Sequence, residues 1–374
     1  MAKRVLEKNY FMLKGELAKK GYDWWWHSFT GYDQETGEMR PFFIEYFVIN
    51  PALGGKDPIL GQLPENKAVG NRPSYVMIKA GCWGSEPTQI HNFFGINELQ
   101  ENPDLLEIRV GHNYLSETQL IGSVEVTDEE CQDHPEYMCN SGTMSWELKI
   151  DKKITYDVGY GTSPFMRKLN AFEMFWHVQG MRSNYTGKVV FNGRTYDIIP
   201  EKSYGYADKN WGADFTSPWL WLNSNNLVSK INGQELLNSS FDAGGGRPRA
   251  FGITFDRKIL IGMYYEGELF EYNFSKPWLR SNVEFAGSED DDYVYWQIRA
   301  KNKDSWLEVD FKCLKTTMLH VNYEAPDGFK RHNKLWNGGM GEGEIKLYRN
   351  QGQTKQLIDH LVCKNAGCEY GEYN

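Results

Sequence analysis

No run of apolar residues in this chain approaches the ~18 that a membrane-spanning helix needs. The longest, residues 41–49, is interrupted by Glu45. The N-terminus lacks the apolar centre and small-residue cleavage site of a secretory signal, so a cytoplasmic protein is expected. Positive charge is in deficit. There are 41 Lys and Arg against 50 Asp and Glu, for a formal net charge of −9, which argues against a nucleic-acid partner because phosphate binding needs clustered cations. No HExxH, no GxSxG and no GxGxxG in a β–α–β setting occurs, excluding the usual zinc hydrolase, nucleophile-elbow and dinucleotide folds. The six cysteines form no CxxC pair. Cys131, His134 and Cys139 lack a fourth ligand at standard spacing, so free thiols and no metal are expected. Whatever chemistry the chain performs is expected to need no cofactor.

What it does have is aromatic side chains: 13 Trp, 22 Tyr and 20 Phe among 374 residues. That is more than a simple core requires and points to broad β-surfaces or a lined cavity. Short β-branched and aromatic segments recur between Gly, Pro, Asn and Asp clusters, at 42–49, 74–80, 119–126, 144–150, 251–255, 260–264, 269–274, 293–300, 306–311, 344–348 and 356–362. Residues 188–199 read as a hairpin around Asn192-Gly193, the strongest two-residue turn signal. A second turn of this type is Asn232-Gly233. After residue 20 no helix-period run of length appears, except around 164–174. The pattern predicts an all-β protein of barrel or sandwich type, with enough strands for two barrels, since ~8 close one around a small ligand. Residues 1–20, with Lys3, Arg4, Lys8, Lys14, Lys19 and Lys20 among Val5, Leu6, Phe11, Leu13 and Leu17, are read as a short amphipathic helix that docks on the domain or touches a membrane surface. Residues 51–73 form a long connection suited to a lid, residues 242–248 a Gly-rich turn, and residues 289–292 a solvated acidic turn.

The most informative stretch is Tyr206-Ala207-Asp208-Lys209-Asn210-Trp211-Gly212, followed by Trp219-Leu220-Trp221 and Asn223. It places one carboxylate among aromatic walls, where burial favours the protonated form. Such an acid suits protonation of a poor base such as an alkene. With Trp176-His177-Val178, Thr186-Gly187-Lys188-Val189 and Asn192-Gly193-Arg194-Thr195-Tyr196, this stretch resembles the signature of tocopherol cyclases. More loosely, it is similar to carotenoid 1,2-hydratases. Asp208 stands where the cyclase signature has Glu, and residues 214–218 replace its Phe-Pro segment. The resemblance implies two lipocalin-like barrels in tandem, residues 21–200 and 201–374, with a site near their junction. It also implies alkene protonation to a tertiary cation, then ring closure by a phenol oxygen or addition of water. The expected substrate is a hydrophobic prenylated phenol, isoprenoid or polyene.

Asp208 is the expected acid. In an extended segment it shares a face with Asn210, with Lys209 on the other. Glu45 lies on one face with Phe43 and Phe47, where an unpaired charge is costly, and is the alternative acid. Trp24, Trp25 and Trp26 cannot all face one core, so at least one is expected at a cavity or junction; with Trp211, Trp219 and Trp221 they would wall a cation. His27, His177 or Tyr206 would take or relay the proton, with His91 a similar candidate. Lys209, Asn210 and Asn223 complete the expected substrate contacts. The C-terminal run 367–373 is expected to close a sheet as a strand, with Glu369 or Tyr370 in a pocket as the alternative. A non-catalytic barrel that binds lipophiles or sugars, and a glycosidase with two carboxylates ~5–9.5 Å apart, are the competing readings.

Overall fold

The structure is a computed structural model that describes residues 6–158, 163–169, 171–250, 253–352 and 354–371. The chain is nearly all β, with two large sheets curled into barrels. The first is built from β1 (Tyr22–Asp33), β2 (Met39–Ile49), β3 (Tyr75–Cys82), β4 (Thr88–Phe94), β5 (Leu99–Glu101), β6 (Glu107–Val110), β7 (Asn113–Ser116), β8 (Gln119–Val126), β9 (Gly142–Tyr156), β10 (Met174–Phe191), β11 (Arg194–Ile198) and β12 (Gly205–Gly212). Its order is 4-3-2-1-11-10-9-8-7-6-5, with β12 also lying between β1 and β10. Asn92 on β4 exchanges two hydrogen bonds with the backbone of Glu125 on β8, at 2.8 and 3.0 Å, so the two arms of the sheet meet.

The second sheet contains β13 (Trp219–Ser224), β14 (Asn226–Ser229) and β15 (Ser240–Gly246). After a small hairpin of β16 (Arg249–Ala250) and β17 (Ile253–Thr254), it continues with β18 (Lys258–Tyr265), β19 (Glu268–Tyr272), β20 (Asn282–Glu289), β21 (Tyr293–Lys301), β22 (Ser305–Leu314), β23 (Leu319–Glu324), β24 (Arg331–Gln351) and β25 (Thr354–Gly371). The sheets change between Gly212 and Trp219. The boundary expected near residue 200 therefore falls before β12, which pairs inside the first sheet. Residues 251 and 252 of the strand expected at 251–255 lie outside the described residues.

The β10–β11 hairpin turns at Asn192-Gly193, both at positive φ (47° and 80°), as a two-residue turn of this composition requires. The expected Gly-rich turn at 242–248 is instead mostly strand: β15 pairs with β13 and β18. It needs glycine because neighbouring atoms approach it closely, the backbone of Lys258 and Pro218 at Gly245 and Gly246 and a ring at Gly244. A Cβ on Gly244 would meet the Trp176 ring at 3.0 Å.

The N-terminal segment is not one helix. It makes a 3-10 turn at Glu7–Asn9 and a single helical turn at Glu16–Lys19, with extended chain between them. Phe11 and Leu13, two residues apart, both enter the first barrel's core, a spacing that suits extended chain rather than a helix face. Trp25 Nε1 holds the Asn9 carbonyl at 2.7 Å. Residues 1–5 of the expected helix lie outside the described residues.

Three apolar clusters follow from the strand alternation. One fills the first barrel, with Trp25, Phe29, Phe42, Ile44 and Tyr46. A second fills the other barrel, around Leu220, Phe241, Trp296 and Leu347. The third draws on both sheets, with Trp24, Trp26, Phe43, Trp176, Trp219, Trp221 and Tyr323, and forms the junction. Burying each such side chain contributes roughly 1.5–3 kcal/mol.

Candidate active site

The junction face of the first sheet carries a row of polar side chains. Register pairs Lys79 with Glu45, Glu45 with Trp26 and Trp26 with Asp208. Residues directly opposite one another across strands project to the same side, so β3, β2, β1 and β12 present these four groups to the second barrel. The alternation along β12 adds Tyr206 and Asn210 to this face and sends Lys209 and Trp211 to the other.

Asp208 is buried. Its Oδ2 accepts from Trp176 Nε1 at 2.7 Å, from the Tyr206 hydroxyl at 3.2 Å and, at 3.5 Å, from Asn210 Nδ2. Its Oδ1 has no hydrogen-bond partner among the described residues. Burial lifts its pKa to about 8, helped by the nearby charge of Glu369. The donors Trp176 and Tyr206 pull the other way, as does Trp24, whose N–H faces the carboxyl without good hydrogen-bond geometry. Burial therefore favours the protonated form, with Oδ2 engaged by its donors and Oδ1 left without a partner.

Glu369, on β25, has the opposite arrangement. Both of its oxygens accept, Oε2 from Trp219 Nε1 and Oε1 from Asn337 Nδ2, each at 2.6 Å. Asn337 is fixed in turn by Trp83 Nε1 at 2.8 Å. Burial raises Glu369 to about 7, the two donors oppose this, and the charge of Glu45 adds to it. Donors on both oxygens suit the ionised form. Glu369 and Asp208 line the same small void with Trp24, Trp26, Asn210, Trp219 and Trp221. A third buried acid, Asp242 on β15, accepts from Trp221 Nε1 at 3.2 Å, and that N–H also reaches the Tyr206 hydroxyl at 3.2 Å. Burial first, and then the Asp208 charge, push Asp242 well above the usual carboxylate range.

The other expected site residues separate cleanly. Glu45 is buried, ion-paired to Lys79 at 3.1 Å and bonded by the Tyr323 hydroxyl at 3.1 Å. Burial raises its pKa against these partners. Its Oε2 is engaged by both partners, while its Oε1 has no hydrogen-bond partner among the described residues. His27 lies on the Trp25 face, inside the first barrel, where Nδ1 meets the Tyr185 hydroxyl at 2.8 Å. Burial lowers it to about 3. His177 pairs in register with Lys209 on that same interior side and is likewise held near 3 by burial. Lys209 is ion-paired to Asp23 and lies 3.6 Å from the Trp25 ring centroid. Trp211 stacks on Phe175 at 5.4 Å. Asn223 ties the two barrels together by donating to the carbonyls of Met181 and Phe241. His91 is buried and shifted well down, chiefly by burial. The structure thus brings together Asp208, Tyr206, Asn210, Trp24, Trp26, Trp219 and Trp221, and it keeps His27, His177, Lys209, Trp25 and Trp211 on the opposite side of the sheet.

The void at Asp208 holds only ≈ 10 Å³. Beside it lies an open cavity of ≈ 280 Å³ whose apolar wall includes Phe172, Phe175, Trp176, Phe215, Trp219 and Leu260. Trp219 borders both spaces, and Trp176 is at once a wall of the larger cavity and a donor to Asp208. The larger cavity therefore ends one indole away from the acid.

The model of the Tocopherol cyclase-like family matches residues 80–372, and the chain belongs to that family. Over 180 residues it is 27% identical to a protein of Oryza sativa subsp. japonica described as "Probable tocopherol cyclase, chloroplastic" and 26% identical to "Tocopherol cyclase, chloroplastic" of Zea mays. The matched region covers 46% of this chain and 35% of each relative, so it spans about a third of their length. Among solved structures, kievitone hydratase from Nectria haematococca aligns with a TM-score of 0.44 and 14% identity, over 94% of this chain and 89% of that one. CghA with Sch210972 aligns at 0.47 and 10%, over 95% and 89%.

Proposed function

We propose that this protein is a cofactor-independent enzyme that protonates a carbon–carbon double bond of a hydrophobic unsaturated molecule, such as a prenylated phenol, isoprenoid or polyene. It then either closes a ring or adds water. The observation that carries this reading is the unsatisfied Oδ1 of a buried Asp208 in a void walled by four indoles. A general acid needs a proton that no protein acceptor holds, and Asp208 has one. Glu369, accepting on both oxygens, is the matching base: it takes a proton from the phenol or water as the cation is captured. Trp24, Trp26, Trp219 and Trp221 stabilise the cation through their ring faces and exclude bulk water. Tyr206, whose pKa burial raises well above 10, remains a phenol and orients Asp208. The substrate enters the ≈ 280 Å³ cavity and reaches the acid when Trp219 or Trp176 swings aside.

The test is a pH–rate profile on any compound the protein converts. The protonated acid is the active form, so the rate falls as pH rises through about 8. Replacing Glu369 by Gln should slow conversion by removing the base, and it also removes a charge that raises Asp208, so the alkaline limb of the remaining rate should move to lower pH. A limb that stays in place in Glu369→Gln contradicts the pairing.

The second reading, a lipophile-binding barrel without chemistry, is favoured by the small size of the void at the acid. Asp208→Asn would then leave ligand affinity unchanged, whereas Trp219→Ala would weaken it. Among the described residues no helix is long and apolar enough to cross a membrane. The expectation of a cytoplasmic location rests on the sequence alone.

A further inference from the structure

Four side chains of the first sheet form a two-by-two block at the small void. Across β1 and β12, Trp24 stands opposite Asn210 and Trp26 opposite Asp208. Directly paired residues project to the same side of a sheet. All four line the void, and Trp219, Trp221 and Glu369 of the second sheet line it with them. None of the four is more than 5% exposed. Each contributes a buried polar atom with no hydrogen-bond partner among the described residues: the indole N–H of Trp24, that of Trp26, Oδ1 of Asp208 and Oδ1 of Asn210. Buried polar atoms are almost always paired, so four on adjacent residues around one space point to a shared partner.

The balance of donors and acceptors identifies that partner. Two N–H groups oppose a cation, and two oxygens oppose an anion. A water molecule accepts twice and donates twice, so it satisfies both indoles and both oxygens at once. When Asp208 holds its proton, that O–H takes the place of Trp24, whose N–H faces the same carboxyl. The freed water hydrogen then has Glu369, which lines the same void and whose oxygens each accept one other bond. Volume agrees with this count. The void holds ≈ 10 Å³, about the least that one buried water needs and too little for a carbon chain.

We propose that this block binds one water molecule and that this water supplies the oxygen added to the cation, so that the reaction is hydration rather than ring closure. The role in the reaction rests on the alkene protonation proposed above; the binding site stands without it. The step balances with no further reactant. The double bond takes the Asp208 proton, which forms a C–H bond and leaves a cationic carbon. The water oxygen forms the C–O bond and gives one proton to Glu369, which returns it to Asp208. The product is an alcohol, the alkene plus one water.

The test has two arms, and the first needs no substrate. In protein labelled at the indole nitrogens, with the signal assigned through Trp26→Phe, the Trp26 N–H should show magnetic cross-relaxation with a bound water. Asn210→Leu, which replaces the carbonyl by methyl groups, should weaken it. Absence of water contact at Trp26 in the wild type overturns the proposal. The second arm follows any compound that the protein converts, in deuterated water enriched in heavy oxygen. The product should gain one deuteron on carbon and one heavy oxygen. Asn210→Leu should shift the product from the alcohol to an isomerised alkene, because a cation that finds no water loses a proton instead. Trp26→Phe keeps an aromatic wall and removes the N–H; it should shift products the same way, and it decides the matter if Asn210→Leu does not fold. Deuterium on carbon without heavy oxygen overturns hydration and leaves alkene protonation intact, as does undiminished alcohol in the folded variants. Heavy oxygen without carbon-bound deuterium contradicts the alkene protonation itself, and with it the water's role in that step.

Discussion

Replacing Asp208 by Asn should stabilise the folded protein at alkaline pH, and the gain should itself depend on pH. Asn preserves the shape: its carbonyl oxygen takes the place of Oδ2 before Trp176 and Tyr206, and its amide replaces the protonated Oδ1. What it removes is ionisation. The carboxyl moves from 3.8 in an unfolded chain to about 8 in the fold, mainly through burial. The folded state thus holds the proton more tightly than the unfolded one. Above about pH 4 the unfolded chain gains by ionising, so wild-type stability declines until the folded group also ionises near pH 8. At ~1.4 kcal/mol per unit the ceiling is roughly 6 kcal/mol, and electrostatic coupling to Asp242 and Glu369 reduces it to about 2–5 kcal/mol. The assay is thermal or urea unfolding of both proteins across about pH 4 to pH 9. The variant's advantage should be near zero at the acid end, grow by several degrees in midpoint, and level off above about pH 8. A difference that is flat with pH, or that shrinks as pH rises, would refute a buried, protonated Asp208.

Two further outcomes follow from the same geometry. Lys79→Met should strand Glu45 in the junction without its cation. That should cost about 3–5 kcal/mol in denaturant unfolding near neutral pH and less in acid, where Glu45 takes up a proton; a loss below about 1 kcal/mol would contradict the buried pairing. His27→Gln should change the rate of any conversion by less than about threefold, because His27 lies across the sheet from Asp208; a drop of about 100-fold, the usual scale for losing a general base, would return the proton-accepting role to the barrel interior.

The sequence carried the alternation of the signature strand well. Tyr206, Asp208 and Asn210 share a face, Lys209 takes the other, and Trp24 and Trp26 part from Trp25 as the spacing implies. The hairpin at Asn192-Gly193 was equally legible, because only a few residues tolerate positive φ at both turn positions. What could not be read was which face meets which core. β1 is buried on both sides for ten consecutive residues, so no polar alternation distinguishes the barrel interior from the junction. His27 and His177 therefore looked as suitable as Tyr206, although the sheet separates them from the acid. Asp242 went unnoticed because Asp-Ala-Gly-Gly-Gly reads as a turn. In the fold these glycines are strand positions, Gly244 kept small by the Trp176 ring and Gly245 and Gly246 by the backbone of Lys258 and Pro218. A signal was available in the matching two-residue spacing of Asp242, Gly244 and Gly246. Glu369 lies 161 positions from Asp208 in the chain, and no local pattern could join them; the β13–β25 pairing does, by setting Trp221 opposite Glu369. The capping box at Thr127 and Glu130 was present in the sequence as Thr-x-x-Glu and marks a helical turn that strand periodicity hid.

The central claim is that Asp208 delivers a proton to carbon, and its most direct test is incubation in heavy water. The protein and its Asp208→Asn variant are given prenylated phenols, polyenes and a cell lipid extract, and the products are followed by mass. The account predicts one solvent deuteron on carbon in the converted compound, with or without added water, and labelling slowed by about 100-fold or more in Asp208→Asn. Conversion without carbon-bound deuterium, or labelling undiminished in the variant, would contradict it.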